Sequence, residues 1–405
     1  MVWIYGGAYE HGAADDAGFD GSLLAEAGVV VVTFNYRVGF EGFGHLPDAP
    51  ANRGLLDQVA ALEWVQDNVV ALGGDPGNVT VFGSSAGGGS VVALATMPRA
   101  RGLFRRCIAQ SIPGLFYPAD VAARVTARVA AAAGVPARTA ELTALAPQQL
   151  ANTSAEVIAD LLADPGGWGA LHYATTPYFP IIDGEVLPAP PLDALADGAA
   201  GDLDVLVGYN RDEYQAMLET SGVRGLQGEH DVLQAAAVLL SGGSSAQDYR
   251  QAYPERSSAD LYSVLCSDWL FRMPVLDAAD GHAASARRAG TYVYEFAWQT
   301  PVADGALGAC HALEVPFIFG KLDSPFARTW LGDTGEREVE LSGRMRQAWT
   351  AFAATGDPGW PRYRQGEATA KVWGNSDSVV TNPSPGSRAI WLRHRPSGTP
   401  PTLRP

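Results

Sequence analysis

The chain has 405 residues, of which 47% are hydrophobic and 18% are charged, and its formal net charge at pH 7 is −16. This composition is typical of a globular protein with a large buried core, and the negative charge argues against nucleic acids and anionic membrane surfaces as partners. The three cysteines, Cys107, Cys266 and Cys310, are too few and too far apart for a disulfide framework or a zinc site, so we expect reduced thiols.

Neither a membrane-spanning segment nor a secretory signal is visible in the sequence. It contains no apolar run of about 18 residues, the length that a membrane-spanning helix requires. Met1 leads directly into an apolar segment, without the positively charged region that opens a secretory signal. We therefore expect a cytoplasmic protein that has no membrane partner.

Strand-like and helix-like segments alternate along the chain, which is the pattern of an α/β fold with a mostly parallel sheet and helices on both faces. Short β-branched apolar runs indicate the strands, and apolar residues at helical spacing indicate the helices. The near-continuous apolar run at 29–34 predicts a strand that is buried on both faces. The predicted strands are 2–5, 29–34, 79–82, 107–110, 203–207, 291–297 and a last short one over 389–392. The predicted helices include 23–27, 55–72, 91–95 and 341–354.

The whole chain, 1–405, is predicted to form a single domain. Helical segments with little strand character fill about 116–178 and 214–289, and we interpret both as helical insertions that cap the sheet. Residues 180–187 are expected to form a loop or short hairpin at the edge of the first insertion. Residues 397–405 are expected to form a loose tail.

The functional prediction depends on the segment 79–95. Four β-prone residues run into the sequence Gly-Ser-Ser-Ala-Gly at 83–87, and a run of small residues then leads into a helix. This order of strand, tight turn and helix is that of a nucleophile elbow, in which a serine is held in a strained conformation at the top of a sheet. Only Ser85 has glycine two residues away on both sides, whereas the frame centred on Ser84 lacks both glycines. Ser85 is therefore the predicted nucleophile.

A serine hydroxyl becomes a useful nucleophile only when a histidine takes its proton and a carboxylate orients that histidine. On this fold the three follow in the order serine, acid, histidine, and each lies just past the end of a strand. Of the seven histidines, His311 alone lies in the loop after the late strand 291–297. For the acid, Asp212 and Glu213 both follow the strand 203–207, and spacing does not separate them.

The same chemistry requires backbone N–H groups that bind the oxygen on which negative charge develops. Ala86, the residue after the predicted nucleophile, supplies one of them. Gly6-Gly7-Ala8 follows the first strand, and its small residues let the backbone approach a substrate closely. Gly7 and Ala8 are therefore the predicted source of the other oxyanion-hole donors.

Together these segments resemble the type B carboxylesterases of the α/β-hydrolase fold, a family that includes cholinesterases and bacterial p-nitrobenzyl esterases. The resemblance runs through nearly the whole chain, and its motifs occur in the family's order. They are the oxyanion segment 2–9, the strand end Asn-Tyr-Arg at 35–37, the helix start 54–58, the serine signature 73–87, the acid segment 210–213, the histidine segment 309–317 and Trp-Pro-x-Tyr at 360–363. In the acid segment the family uses the second acidic residue, which favours Glu213.

The sequence departs from the family pattern at three places. Ser84 stands where the family commonly has glutamate, and Ala8 replaces the last glycine of the oxyanion run. The family's N-terminal strands and first cysteine pair would precede Val2. The resemblance thus implies a missing N-terminal segment and an apolar side of the sheet left exposed. In the family that segment gives Arg37 its acidic partner, so Arg37 is expected either to pair with another carboxylate or to be solvated.

The residues and the resemblance together predict a serine hydrolase that cleaves small carboxylic esters through an acyl-enzyme intermediate. Ser85 attacks, His311 transfers the proton and Glu213 orients His311, while the backbone of Gly7, Ala8 and Ala86 binds the oxyanion. We expect no metal and no organic cofactor. The alternatives are a non-catalytic interaction protein on the same fold and an inactive, N-terminally truncated fragment.

Overall fold

The computed structural model describes residues 1–395, so the tail predicted at 397–405 lies outside the described residues. Ten strands occur within that range. They are β1 (Val2–Ile4), β2 (Val32–Thr33), β3 (Thr80–Ser84), β4 (Arg106–Gln110), β5 (Tyr117–Pro118), β6 (Ile181–Ile182), β7 (Asp204–Asn210), β8 (Thr291–Phe296), β9 (Thr369–Trp373) and β10 (Ser378–Thr381). Eight of them form one sheet in the order β10-β9-β8-β7-β4-β3-β1-β2, and β5 pairs with β6 in a separate two-stranded sheet.

Helices flank the large sheet, and every neighbouring pair of its strands is parallel except β9 with β10. The helices are α1 (Ser22–Ala25), α2 (Gly39–Phe43), α3 (Arg53–Asn68), α4 (Ala86–Thr96), α5 (Ala119–Ala132), α6 (Thr139–Thr143), α7 (Pro147–Ala163), α8 (Pro165–Trp168), α9 (Pro191–Ala196), α10 (Gln215–Thr220), α11 (Glu229–Leu239), α12 (Ser245–Ala252), α13 (Ser258–Ser267), α14 (Met273–Ser285), α15 (Val315–Phe319), α16 (Pro325–Leu331), α17 (Glu336–Thr355) and α18 (Pro385–His394). A π-helix, Asp268–Arg272, joins α13 to α14. Among the helices of residues 1–395, none is long and apolar enough to cross a membrane.

The predicted strand over 29–34 is wrong in extent and in burial. Only Val32–Thr33 is strand, and this β2 lies at the edge of the sheet with half-buried side chains. The β-branched run suggested a strand covered on both faces. An edge strand has a partner on one side only, here β1, so fewer of its residues are held in a ladder.

The predicted last strand over 389–392 is also wrong, because these residues belong to α18. Pro385 occupies the first helical turn, where its fixed φ favours a helix, and Ile390, Trp391 and His394 bury one face. The strands that complete the sheet are instead β9 and β10, which the sequence reading missed. Exposed residues on β10 give it no strong apolar pattern.

An aromatic cluster joins the parts of the fold that carry the predicted site. Trp3 on β1 lies 4.8 Å from Phe82 on β3 and 5.0 Å from Phe319 on α15, measured between ring centroids. All three rings are buried. Each such pair contributes about 0.5–1.5 kcal/mol of stability beyond the contribution of the apolar area that it buries. The cluster therefore holds β1, β3 and α15 in fixed positions relative to one another.

Arg37 finds an acidic partner within the described residues. Its guanidinium donates two hydrogen bonds to the carboxylate of Asp57 on α3, at 2.8 and 2.7 Å, and its backbone N–H donates a third at 2.9 Å. Half of the Arg37 side chain is exposed, so water screens the pair and its contribution to stability is at most about 1 kcal/mol.

The elbow helix α4 approaches β1 so closely that glycine is required at its start. A Cβ at Gly87 would lie 2.0 Å from the Ile4 carbonyl oxygen, and a Cβ at Gly83 would lie 2.7 Å from the same atom. Both contacts are with backbone, which cannot rotate away. The crossing of β1, β3 and α4 therefore depends on these two glycines.

We expect Gly87→Ala to lower the free energy of unfolding by at least about 1–3 kcal/mol, since the added methyl group overpacks a rigid backbone contact. Gly343→Ala is the matched control. Gly343 lies inside α17 and a Cβ there meets nothing within 4 Å, so alanine should stabilise the helix by about 0.5–1 kcal/mol. Urea unfolding followed by circular dichroism measures both, and equal effects of the two variants would contradict the close approach.

Candidate active site

Ser85 occupies the sharp turn between β3 and α4. Its backbone has φ 60° and ψ −126°, a conformation that costs a non-glycine residue about 1–3 kcal/mol. The other residues from 81 to 95 are buried, whereas Ser85 is partly exposed. The turn thus presents the Ser85 side chain at the end of the strand, as the elbow motif predicts.

The structure brings the side chains of Ser85, His311 and Glu213 together in one hydrogen-bonded chain. His311 Nε2 lies 2.7 Å from Ser85 Oγ, and His311 Nδ1 lies 2.6 Å from Glu213 Oε2. Glu213 is fully buried, and about a tenth of the His311 side chain is exposed. In the tautomer that this geometry favours, Nδ1–H donates to the carboxylate and Nε2 accepts from the serine hydroxyl.

The two acidic residues that spacing did not separate have different contacts. Glu213 reaches His311, and its other oxygen, Oε1, accepts a hydrogen bond of 2.8 Å from the backbone N–H of Asn210. Asp212 binds the loop before the histidine instead, because its Oδ2 accepts from the backbone N–H of Ala309 at 2.9 Å. The structure therefore brings Glu213, and not Asp212, to the imidazole.

Backbone pairing holds the acid segment against the histidine segment. The Asp212 N–H donates to the Ala309 carbonyl at 2.9 Å, and the His311 N–H donates to the Glu213 carbonyl at 3.3 Å. The side-chain amide of Asn210 adds a bond of 2.7 Å to the carbonyl of Cys310. These contacts fix the loop after β8 directly on the end of β7.

Phe271 packs against the imidazole of His311, with ring centroids 4.4 Å apart and an angle of 31° between the ring planes. Phe271 belongs to the π-helix, which is a type of element often found at functional sites. The buried guanidinium of Arg272 fixes this π-helix, because it contacts Asp268 and donates to the carbonyl of Arg211 at the end of β7. The buried ion pair of Arg272 and Asp268 thus connects the π-helix that carries Phe271 to the end of β7.

Glu314 is a buried acid below the site that the sequence reading missed. Its Oε1 accepts from the Ser84 hydroxyl at 3.0 Å and from the Gln110 amide at 2.9 Å, and its Oε2 accepts from the Asn210 amide at 2.7 Å. Burial and the charge of Glu213 raise the pKa of Glu314, while the two amide donors oppose this rise. Its place three residues after His311 was visible in the sequence, but its partners on β3, β4 and β7 were not.

The loop that carries Gly7 and Ala8 begins beside the serine. A Cβ at Gly6 would lie 3.0 Å from Ser85 Cβ, so the loop after β1 passes directly over the nucleophile. Gly7 and Ala8 both have positive φ, 110° and 57°. Within residues 1–395, the backbone N–H groups of Gly7 and Ala8 donate to no backbone carbonyl, as donors to a substrate oxygen require. Ala86 is the first residue of α4, a position where the backbone N–H has no acceptor within the helix.

In the described part of the chain, no group of three or more His, Cys, Asp or Glu side chains has a metal-binding arrangement. All three cysteines are buried free thiols. The expectations of no metal and no cofactor stay predictions.

Comparison with known proteins identifies the family. The model of the carboxylesterase family matches residues 1–378. The chain is also 36% identical over 402 residues to the para-nitrobenzyl esterase of Bacillus subtilis, which covers 96% of this chain and 78% of that protein. The chain belongs to the carboxylesterase family. The human bile salt-activated lipase is 35% identical to the chain over 404 residues, which make up 88% of this chain and 50% of the lipase.

Solved carboxylesterase structures have the same fold. Carboxylesterase EST55 from Geobacillus stearothermophilus superposes with a TM-score of 0.83 at 33% identity, covering 96% of this chain and 81% of that one. A PNB esterase structure gives a TM-score of 0.82 at 33% identity, covering 96% and 79% of the two chains. The type B carboxylesterase family and the α/β-hydrolase fold were both expected from the sequence, and both are confirmed. The chain is a carboxylic ester hydrolase.

Proposed function

We propose that this carboxylesterase cleaves small-molecule esters through an acyl-enzyme, with Ser85 as nucleophile, His311 as general base and acid, and Glu213 as the residue that orients His311. The observation that carries the proposal is the continuous chain from Ser85 Oγ through the imidazole to the buried Glu213 carboxylate, with links of 2.7 and 2.6 Å. A serine, a histidine and a carboxylate in this order make the hydroxyl nucleophilic at neutral pH.

In the acylation step, Ser85 Oγ forms a bond to the ester carbonyl carbon while its proton passes to His311 Nε2. Glu213 stabilises the imidazolium, and the carbonyl electron pair moves to the oxygen, where the N–H groups of Gly7, Ala8 and Ala86 bind it. The intermediate collapses when the bond from the carbonyl carbon to the alcohol oxygen breaks. His311 then gives its proton to the departing alcohol, which leaves the acyl group on Ser85.

Deacylation repeats these steps with water. His311 removes a proton from the water molecule as its oxygen attacks the acyl carbon, and the same N–H groups bind the second oxyanion. When the bond to Ser85 Oγ breaks, His311 returns the proton to the serine. The carboxylic acid leaves, and the enzyme is restored without any net change in the protein.

The intact hydrogen-bonded chain favours catalysis over a non-catalytic interaction protein on this fold, because neither docking nor adhesion needs a strained serine that is hydrogen-bonded to a histidine oriented by a buried acid. The expected cytoplasmic location, the absence of nucleic-acid and membrane partners, and the single-domain organisation with two helical insertions stay predictions.

Ser85→Ala should abolish hydrolysis of p-nitrophenyl butyrate, by a factor on the order of 10⁶, because the triad acts as a unit. Ser84→Ala is the matched control in the neighbouring position. It removes only the hydroxyl that binds Glu314, so we expect turnover close to that of the parent protein. A fluorophosphonate probe should label the parent and Ser84→Ala, and mass spectrometry should place the label on Ser85.

Labelling of Ser84, or continued labelling of Ser85→Ala, would contradict the assignment of the nucleophile. A parent protein that is folded but neither labels nor hydrolyses any ester would instead support the alternative of an inactive fragment.

Glu213→Gln should lower kcat by about 10⁴, the loss seen when a triad acid becomes an amide. The backbone N–H of Asn210 will hold the amide oxygen, so the amide NH₂ faces Nδ1 of His311 and favours the wrong tautomer. Asp212→Asn is the matched control, since its side-chain oxygen can still accept from Ala309, and its kcat should stay within about tenfold of the parent. Equal losses in the two variants, or the reverse order, would reject Glu213 as the triad acid.

A further inference from the structure

Glu10 is an acid directly after the oxyanion segment 2–9, and it takes no part in the acylation or deacylation steps. It lies two residues after Ala8, and its side chain is only partly exposed. Its Oε1 is 2.5 Å from the hydroxyl of Thr176, a buried residue at the end of the first helical insertion. The same hydroxyl lies 3.0 Å from the carbonyl oxygen of Ala8. Thr176 therefore connects Glu10 to the peptide group next to a predicted oxyanion donor.

A threonine hydroxyl has one proton, so it donates to one of these two oxygens at a time. If Glu10 is ionised, its carboxylate is the stronger acceptor and takes the Thr176 proton, which leaves the Ala8 carbonyl without that donor. If Glu10 is protonated, its O–H donates to Thr176 Oγ1, and the Thr176 proton is free for Ala8. The backbone N–H of Tyr178 donates to Thr176 Oγ1 at 3.2 Å in support of the hydroxyl's position.

The Ala8 carbonyl matters because the backbone around it is strained. Ala8 and Tyr9 both have positive φ, 57° and 61°, which is unfavourable for residues with a side chain. Hydrogen bonds to the protein hold both carbonyls, since that of Tyr9 accepts from the Gly39 N–H at 2.6 Å and that of Ala8 accepts from Thr176. Without the bond from Thr176, the Ala8 carbonyl loses the hydrogen bond that holds it while the Ala8 backbone remains strained.

We propose that Glu10 is a positioning residue of the oxyanion hole, which fixes the Ala8 peptide through Thr176 while its carboxyl is protonated and releases it on ionisation. The inference rests on the proposed esterase function, because it concerns how the same site holds a substrate oxygen. Esterase kcat should then fall as the pH rises and Glu10 ionises, and this fall does not come from the titration of the triad.

The surroundings of Glu10 place its ionisation near neutral pH. Burial raises the pKa of Glu10 to about 7, and the hydrogen bond with Thr176 opposes this rise. The ionisable groups that face it are the phenols of Tyr117 on β5 and Tyr178, whose own pKa values are raised by burial and by the Glu10 charge. Burial lowers the pKa of the adjacent His11, which favours the neutral form of this side chain.

The experiment measures kcat and KM of the parent and of Glu10→Gln on p-nitrophenyl butyrate between about pH 5 and about pH 9. Glutamine imitates the protonated acid, because its amide N–H donates to Thr176 Oγ1 at every pH. The ratio of the two kcat values cancels the titration of His311, which is common to both proteins. This ratio, parent over variant, should be close to one in acid and fall about tenfold with a midpoint near pH 7, while KM is unchanged.

Two changes at Thr176 provide the controls. Thr176→Val removes the hydroxyl at nearly constant size, so its kcat should be about tenfold below that of the parent in acid and equal to it in alkali. Adding Glu10→Gln to Thr176→Val should change nothing further. Thr176→Ser keeps the hydroxyl and should keep the parent's pH dependence.

A constant ratio of parent to Glu10→Gln across this pH range would overturn the inference, and so would an effect of Glu10→Gln that persists in the Thr176→Val background. Each protein is first titrated with a fluorophosphonate probe, so that only active sites are compared. If the parent labels at Ser85 and hydrolyses the ester but the ratio is flat, the inference about Glu10 fails alone. If the parent neither labels nor turns over, the proposed function fails with it.

Discussion

The site depends on the close contact between α4 and β1 at the nucleophile elbow. Glycines at 83 and 87 let the helix start against the Ile4 carbonyl, at a separation that no side chain would allow. This contact forces the sharp turn in which Ser85 adopts its strained backbone conformation. The strain persists because the elbow is anchored in a buried frame of strand, helix and aromatic rings, which together outweigh a local cost of about 1–3 kcal/mol.

The parallel sheet explains how residues far apart in sequence meet at this turn. Ser85 follows β3, Glu213 follows β7 and His311 follows β8, and parallel strands place these ends at one edge of the sheet. Below them, the Glu314 carboxyl accepts hydrogen bonds from side chains on β3, β4 and β7. A buried acid with three donors cross-links three neighbouring strands, so the spacing of Ser85, Glu213 and His311 depends on the sheet and on this one carboxyl.

Much of this architecture could be predicted from the sequence because it depends on local rules. The elbow needs a strand, two glycines and a helix within a short segment, and His311 follows from chain order alone. The choice between Asp212 and Glu213 could not be made from spacing. Adjacent residues on a turn point in different directions, and the pairing with Ala309 and His311 that separates them is a tertiary contact.

The two wrong strand predictions also concern features that depend on tertiary contacts. An apolar β-branched run predicts a strand, but whether that strand is central or at an edge depends on its neighbours, and the segment 29–34 proved to be an edge with only two paired residues. The segment 389–392 is short and apolar, a pattern that helices and strands share, and it belongs to α18. Glu314 was missed because a single glutamate in sequence gives no sign of the three donors that surround it.

If Ser85 carries the acyl group during turnover, the acyl-enzyme can be trapped on its side chain. The protein would be mixed with excess p-nitrophenyl butyrate, quenched in acid within one turnover, digested and analysed by mass spectrometry. We expect a burst of p-nitrophenol equal to the number of active sites, and one butyryl group on the Ser85 side chain. Hydrolysis without a burst and without an acylated peptide, or a butyryl group on another residue, would contradict this role of Ser85.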